Sequence, residues 1–458
     1  MRIPFVGASN TSRSVNSSVD ATINFIPEVD PLAKFPVRLL PRPGLLSFAN
    51  AGSSGNRGQI AWNGAGYAVI SDTLWKLTTA GVATSIGTIG TVSGNVSLAG
   101  GRSYMMFVDG TDGWHYDGTT LTKITDVDFP TARVVTWIDN YFIVDDADND
   151  GRMYRSDAND PTAWGSLNFA TAERNPDGIT SLQRVGQQLF VIGETTTEAW
   201  YNDASEGFSF VPMSGAMTDV GAVGRFAVKE ASGLLFWIGQ SEEGQGAVFR
   251  SAGLQGAAVS TPAIEREINA GTDLANATAD VVYLEGHLIY LLHVPGGKTL
   301  AFDQQTEQWH EWKSYGRSDF RGRNAIHING TTYFGDAEGS NFFKLDWDTH
   351  TDQGGPIERI RRDRHIHADR RLLRHRRLEI EFEAGVGTAS LDPQAMMRFS
   401  DDGGHQWSPE LWRGIGKVGQ YKNRSLWNGL GSSRDRVYEI KITDPVKAVL
   451  IGGYLEVE

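Results

Sequence analysis

The sequence predicts an all-β chain, a β-propeller of seven blades, alternatively six, followed by a small β-sandwich. Three observations predict it. A strand–turn–strand–turn–strand unit ending in an aromatic recurs seven times between residues 58 and 350. Its steps run from 37 to 54 residues, the span of one blade of three or four strands. Glycine is 53 of 458 residues with no collagen-like period, so the glycines mark turns, and many turns mean many short strands.

Residues 1–57 read as an extended N-terminal arm. Its landmarks are NFIPEVD (Asn24–Asp30) and KFPVRLLPRPGLLSFA (Lys34–Ala49). Pro36, Pro41 and Pro43 forbid a helix there and favour an extended path. Such an arm either packs on its own subunit or reaches a neighbouring one, and it or the strand after Trp309 is a candidate to close the ring, since closure removes unpaired edges.

The blade unit begins after Gly58. It reads QIAWNGAGYAVISDTLWKL from Gln59, VSLAGGRSYMMFVDGTDGWHYD from Val96 and VVTWIDNYFIVDDADNDGRMYRS from Val134. It continues from Ile179, Arg225, Asp280 and Asn324. The middle strands should begin near Tyr67, Tyr104, Tyr141, Leu189, Leu234, Leu288 and Thr332. A fourth strand fits at Thr84–Ile89, Leu121–Thr125, Ser166–Phe169, Phe208–Val211 and Gln308–Lys313. The longest step holds TPAIEREINAGTDLANATADVV, where Thr261 as N-cap and Pro262 at the first position open a short helix. A second helical turn is expected after Thr272.

Residues 351–377 read as an arginine-rich linker. Arg359, Arg361, Arg362, Arg364, Arg370, Arg371, Arg374, Arg376 and Arg377 lie in it, with Asp363 and Asp369 interspersed. Residues 378–458 read as the sandwich. Leu378, Ile380 and Phe382 alternate with Glu379, Glu381 and Glu383, as in a strand with one buried face.

Composition narrows the function. With no cysteine, thiol nucleophiles, disulfides and cysteine-based zinc sites are excluded. The first twenty residues hold no apolar run suited to a signal peptide, and no stretch is long and apolar enough to span a membrane as a helix. The net charge of −13 disfavours sequence-independent DNA binding. It suits a surface past which DNA slides without sticking.

Candidate chemistry is sparse. Ser400-Asp401-Asp402-Gly403-Gly404-His405-Gln406-Trp407 fits an Asp-box, a hairpin staple remote from catalysis. Asp145, Asp146, Asp148 and Asp150 sit in a tract like a calcium loop that lacks the closing Glu of an EF-hand. Glu242-Glu243 has no evident partner across a cleft, as a glycosidase pair needs. His365, His367 and His375 stand among arginines that oppose a metal cation. No nucleophile elbow, zincin, P-loop or dinucleotide fingerprint appears. Neither a catalytic site nor a cofactor or metal is therefore expected. The arginine tract is either a solvated surface, a protein interface using guanidinium–carboxylate forks, or a DNA contact. The interface is preferred because the rest of the chain is acidic.

The stretch Tyr154–Asn202 carries a family resemblance. SDANDPTAW, LNFATAERNPDGI and LFVIGETTTEAWYN resemble the signature of the tail hub, or packaged-DNA stabilisation, proteins of short-tailed phages. The Ala172–Ile179 core is the most specific part. The arm's proline pattern, Leu300–Trp312 and Gly419–Pro445 follow in the family's order. The resemblance implies a virion structural protein of the phage tail, made in the host cytoplasm. It implies a ring, as a homohexamer, below the portal and its adaptor. Such a ring continues the DNA channel, retains packaged DNA, and carries the tail needle and the tailspikes or fibres. No site residue transfers from it. The alternative functions are a tail-associated propeller glycosidase or depolymerase and a carbohydrate-binding propeller.

Overall fold

The computed structural model describes residues 2–14, 16–149, 151–172, 177–241, 244–253, 255–369 and 371–458. Strands dominate it, and the expected middle strands are present as Ala65–Ile70, Met105–Val108, Tyr141–Asp145, Gln188–Gly193, Leu234–Ser241, His287–His293 and Thr331–Asp336. Their central residues are buried on both faces, which is why these runs are mostly apolar. Several connect to the preceding inner strand through paired residues of positive φ, such as Asn63-Gly64 and Asn329-Gly330. Two consecutive positive φ values give a turn whose twist matches that of a hairpin.

The inner strands Asn56–Trp62, Ser97–Gly100, Val135–Ile138, Ile179–Val185, Lys229–Ala231, Thr278–Leu284 and Gly322–Ile328 are neighbours in that order, and the last meets the first. This is the predicted propeller. Six of its sectors are sheets apart from the second domain; the seventh, Thr278–Trp312, is the end of an eleven-stranded sheet that runs on into the sandwich. The count of six or seven turns on that shared sheet. The helix forms at Pro262–Asn269, capped by the Thr261 hydroxyl accepting from the Ile264 N–H, and a 3-10 turn follows at Leu274–Asn276.

The linker differs from expectation, and of the two candidates for closing the ring it is the N-terminal segment that does so. The arm is not a separate layer. Gly44–Asn50 is the fourth strand of the last blade, pairing with Asn341–Asp346 and closing the ring. Ring closure leaves no free edge there, which is the physical reason the strand is recruited. Gly44 is required at the crossing, since a Cβ would stand 2.4 Å from the Thr351 carbonyl oxygen. Phe25–Val29 and Val37–Pro41 form a hairpin on the sandwich sheet that contains Leu450–Val457, Leu373–Phe382 and Ser425–Asn428. The linker also holds a strand. Arg359–Arg362 lies between Val19–Ile23 and Asp435–Ile442. The outermost strand of the sector Thr278–Trp312, Gln308–Trp312, joins Val19–Ile23 through Ile23 opposite Glu311. One hydrogen-bonded sheet thus passes from the propeller core to the sandwich. Phe5, Phe25, Leu39, Leu378, Trp427 and Tyr438 share the sandwich core, so residues from both ends of the chain build it.

Candidate functional site: the arginine seam

The seam between the domains is built on the strand Arg359–Arg362. Its alternation places Arg359 and Arg361 inward, at 0% and 1% exposure. The Arg361 guanidinium donates to the Phe5 carbonyl at 2.8 Å, the Ala8 carbonyl at 3.1 Å and the Thr22 hydroxyl at 2.8 Å, and pairs with Asp20 at 3.3 Å. It ties the N-terminal segment to the sandwich. Arg359 donates to the Asp444 carbonyl at 3.1 Å. Burial, and then the nearby Arg42, pushes its guanidinium down to about 10. Asp363 lies beside Arg361 with no exposure, and burial raises its carboxyl to about 6 against the pull of that guanidinium.

Arg362 faces the other way. It and Arg398 both pair with the buried carboxylate of Glu439, Arg362 at 2.7 Å and Arg398 at 2.5 Å. Both guanidinium groups lie over the Trp407 ring, at 5.1 and 4.6 Å from its centroid. Trp407 is fixed by its Asp-box: its indole N–H donates to the Gly404 carbonyl at 3.0 Å, and Asp402 accepts the Gln406 N–H at 2.9 Å. The Asp-box is a staple that presents one aromatic plane to two cations.

The rest of the tract points outward. Arg376 pairs with Glu458, and Arg377 with Glu456 at 3.0 Å, both half-exposed. Arg364, Arg371 and Arg374 are exposed, with no ion pair among the described residues. Arg370 lies outside the described residues. The nine arginines taken together as one candidate interface are therefore divided. Arg359 and Arg361 are committed inside the subunit, because a strand in mid-sheet has no solvent face to offer them.

The other candidates are structural where described. Asp145 accepts the Arg133 and Val134 N–H groups at 2.7 and 2.8 Å, and Asp146 accepts that of Asp148 at 3.1 Å. They hold a hairpin; Asp150 and Glu242-Glu243 lie outside the described residues. His365 bonds Asp435 at 2.8 Å, His375 bonds the Ser433 and Tyr438 hydroxyls at 2.9 Å each, and His367 is exposed. Among the described residues no three His, Asp or Glu side chains gather as a metal site. No described helix is long and apolar enough to cross a membrane. In the stretch of the family resemblance, Asp177 accepts the N–H groups of Thr195 and Thr196 at 2.8 and 3.0 Å, stapling a blade turn; residues 173–176 lie outside the described residues.

Sequence reasoning missed Arg42. It is fully buried, donates to Asp352 at 3.0 Å, and donates to the Asn24 side-chain oxygen at 2.7 Å and the Lys313 carbonyl at 3.0 Å. The one signal was an arginine between Pro41 and Pro43, a rigid frame that holds a side chain in place.

Comparison with known proteins agrees with this architecture. Residues 1–350 match the family described as Bacteriophage P22 Gp10, beta-propeller, and residues 358–458 match Bacteriophage P22 Gp10, beta-sandwich. No curated protein matches. Among solved structures, a chain of the mitotic checkpoint complex is similar at 12% identity over 63% of this chain and 89% of that one, TM-score 0.44. The N-terminal domain of Nup159 is similar at 10% identity over 71% and 98%, TM-score 0.43. The Pan2 WD40 domain of Neurospora crassa is similar at 7% identity over 67% and 96%, TM-score 0.44. These weak likenesses carry no argument. A propeller and a sandwich that both match, in order and over nearly the whole chain, place this protein in the Gp10 family, the tail hub or DNA-stabilisation structural proteins of short-tailed phages.

Proposed function

We propose that the chain assembles as a ring, a homohexamer, below the portal and its adaptor. There it continues the DNA channel, retains packaged DNA, and carries the needle and the spikes or fibres. In this reading the outward part of the arginine tract, Arg364, Arg371 and Arg374, meets carboxylates of a neighbouring subunit or of the adaptor. The division of the tract supports it. Three exposed guanidinium groups without ion pairs stand on a chain whose net charge is −13. Carboxylates on an adjoining copy are the nearest available complement, and guanidinium forks suit them. Net negative charge elsewhere favours passage of DNA without adhesion. No chemical step is part of this reading.

The test is the triple variant R364A/R371A/R374A. The monomer's melting temperature should be unchanged, since these side chains make no ion pair among the described residues. Particle size by light scattering, and tail attachment, should fall. Raising salt should weaken wild-type assembly in the same direction, because partly exposed ion pairs are screened. Normal assembly of the triple variant at physiological salt would sink the interface and leave these arginines as a solvated surface.

A further inference from the structure

The propeller shaft holds cations that the seam does not use. A cavity of about 310 Å³ is enclosed by the inner strands of the ring. Arg184, Arg225 and Lys229 line it, and no Asp or Glu does. This is the reverse of the chain's overall charge.

The bonds of these groups are incomplete. The Arg225 Nε donates to the Thr180 carbonyl at 3.0 Å, and its terminal nitrogens have no partner among the described residues. The Lys229 ammonium makes no ion pair among them. Arg184 donates to the Gly186 carbonyl at 2.9 Å and lies over the Trp137 ring, at the far end of the strand Ile179–Val185. The carboxylates behind the wall are taken. Asp280 accepts from the Ala325 N–H at 2.7 Å and lies 2.9 Å from the His293 Nε2, while Asp145 is held by Arg133 and Val134. Burial lowers the pKa of both Arg225 and Lys229; Asp280 opposes it at Lys229, while at Arg225 the nearby Arg133 adds to it and Asp145 opposes it. Half-buried cations with no direct ion pair are costly, and a soluble anion lowers that cost. Neutral donors stand beside them: the Ser181 hydroxyl accepts from the Gln183 amide at 3.2 Å, which leaves its own proton free to donate.

We propose that the shaft binds a small phosphate-type oxyanion between Arg225 and Lys229, with Ser181 donating to it. A guanidinium fork, an ammonium and a hydroxyl suit a tetrahedral ion with several acceptor oxygens. Free phosphate and a nucleic-acid phosphodiester offer the same chemistry. The inference does not depend on ring assembly.

The test uses the full chain, in chloride buffer at fixed ionic strength. One arm adds inorganic phosphate; the other adds a short single-stranded oligonucleotide at equal phosphate concentration. The melting temperature should rise by about 2–4 °C at saturation in one arm, and the rise should vanish in Arg225→Gln and in Lys229→Met. A rise with phosphate marks the free ion; a rise with the oligonucleotide alone marks a backbone phosphate. Rises of equal size in wild type and variants, or none in either arm, would overturn the site. In chloride alone Lys229→Met should melt at or above wild type, since it removes a desolvated charge that has no ion pair among the described residues. A value well below wild type would mean that Lys229 has a structural partner, and would overturn the assignment too.

Discussion

Three imidazoles set the acid response of single residues. Burial pushes His293, His310 and His375 each down to about 4; Arg323 adds to this at His293, and Arg436 at His375. A folded pKa below the ordinary 6.5 means that the unfolded chain binds more protons. Their contribution is complete above pH 6.5 and is lost as pH falls toward 4. Asp363 acts oppositely, since its raised value of about 6 gives stability that is lost as pH rises through 6. His115, His327 and His350 are lowered by burial as well, while Asp303 raises His287 and burial raises Glu311, so six lowered imidazoles against three raised groups predict net destabilisation between pH 6.5 and 4, measurable as a falling urea midpoint. His310 is the sharpest case, with no exposure and neither ring nitrogen bonded among the described residues. His310→Leu should therefore stabilise the protein at pH 7 by about 1–3 kcal/mol, the cost of an unsatisfied buried polar group, and flatten the acid limb. A destabilised variant with an unchanged acid limb would contradict this.

Among elements, the closing strand Gly44–Asn50 depends on what holds it to the ring. Arg42 and Asp352 form a buried pair just outside it, and Arg42 also lies over the rings of Trp312 and Phe320. Arg42→Met leaves Asp352 buried without its partner and should cost about 3–5 kcal/mol by chemical denaturation. Adding Asp352→Asn should recover part of the loss; no recovery would assign the cost to packing alone. The blade hairpins were legible because both strands and the turn lie within one short stretch, so period and turn residues report them together. The arm's strands were not. The sheets they join are completed by strands near the other end of the chain, as Leu39 opposite Leu450 shows, and Pro27 and Pro41 mask the pattern of the local hairpin. Phe25–Val29 tolerates Pro27 because it is an edge strand. Arg359 and Arg361 were misleading for another reason. Charged side chains are almost never fully buried unless paired, and their acceptors, at Phe5, Ala8, Thr22 and Asp444, are far away in sequence. The Asp-box was legible, since its bonds are local; the two cations over its tryptophan were not.

For the whole molecule, the shared sheet makes two recognisable domains one folding unit. The sandwich takes the strands Arg2–Ile3, Phe25–Val29 and Val37–Pro41 from the N-terminal end, and the propeller takes Gly44–Asn50 from the same segment. Val19–Ile23 lies hydrogen-bonded between a propeller strand and a sandwich strand. Neither domain can complete its core from its own contiguous residues. A fragment of residues 358–458 lacks Phe5, Phe25 and Leu39, which are buried in its core, and exposes a strand edge at Leu450–Val457. It should fail to fold alone, with no dispersed amide spectrum. A fragment of residues 58–350 lacks the closing strand and should aggregate through the open edge of Asn341–Asp346. The intact chain should show one calorimetric transition whose van't Hoff and calorimetric enthalpies agree. Two separated transitions would mean that the sheet through Val19–Ile23 does not couple the domains. Such coupling suits a tail component under load, because force on the sandwich reaches the propeller through backbone hydrogen bonds rather than through a flexible linker.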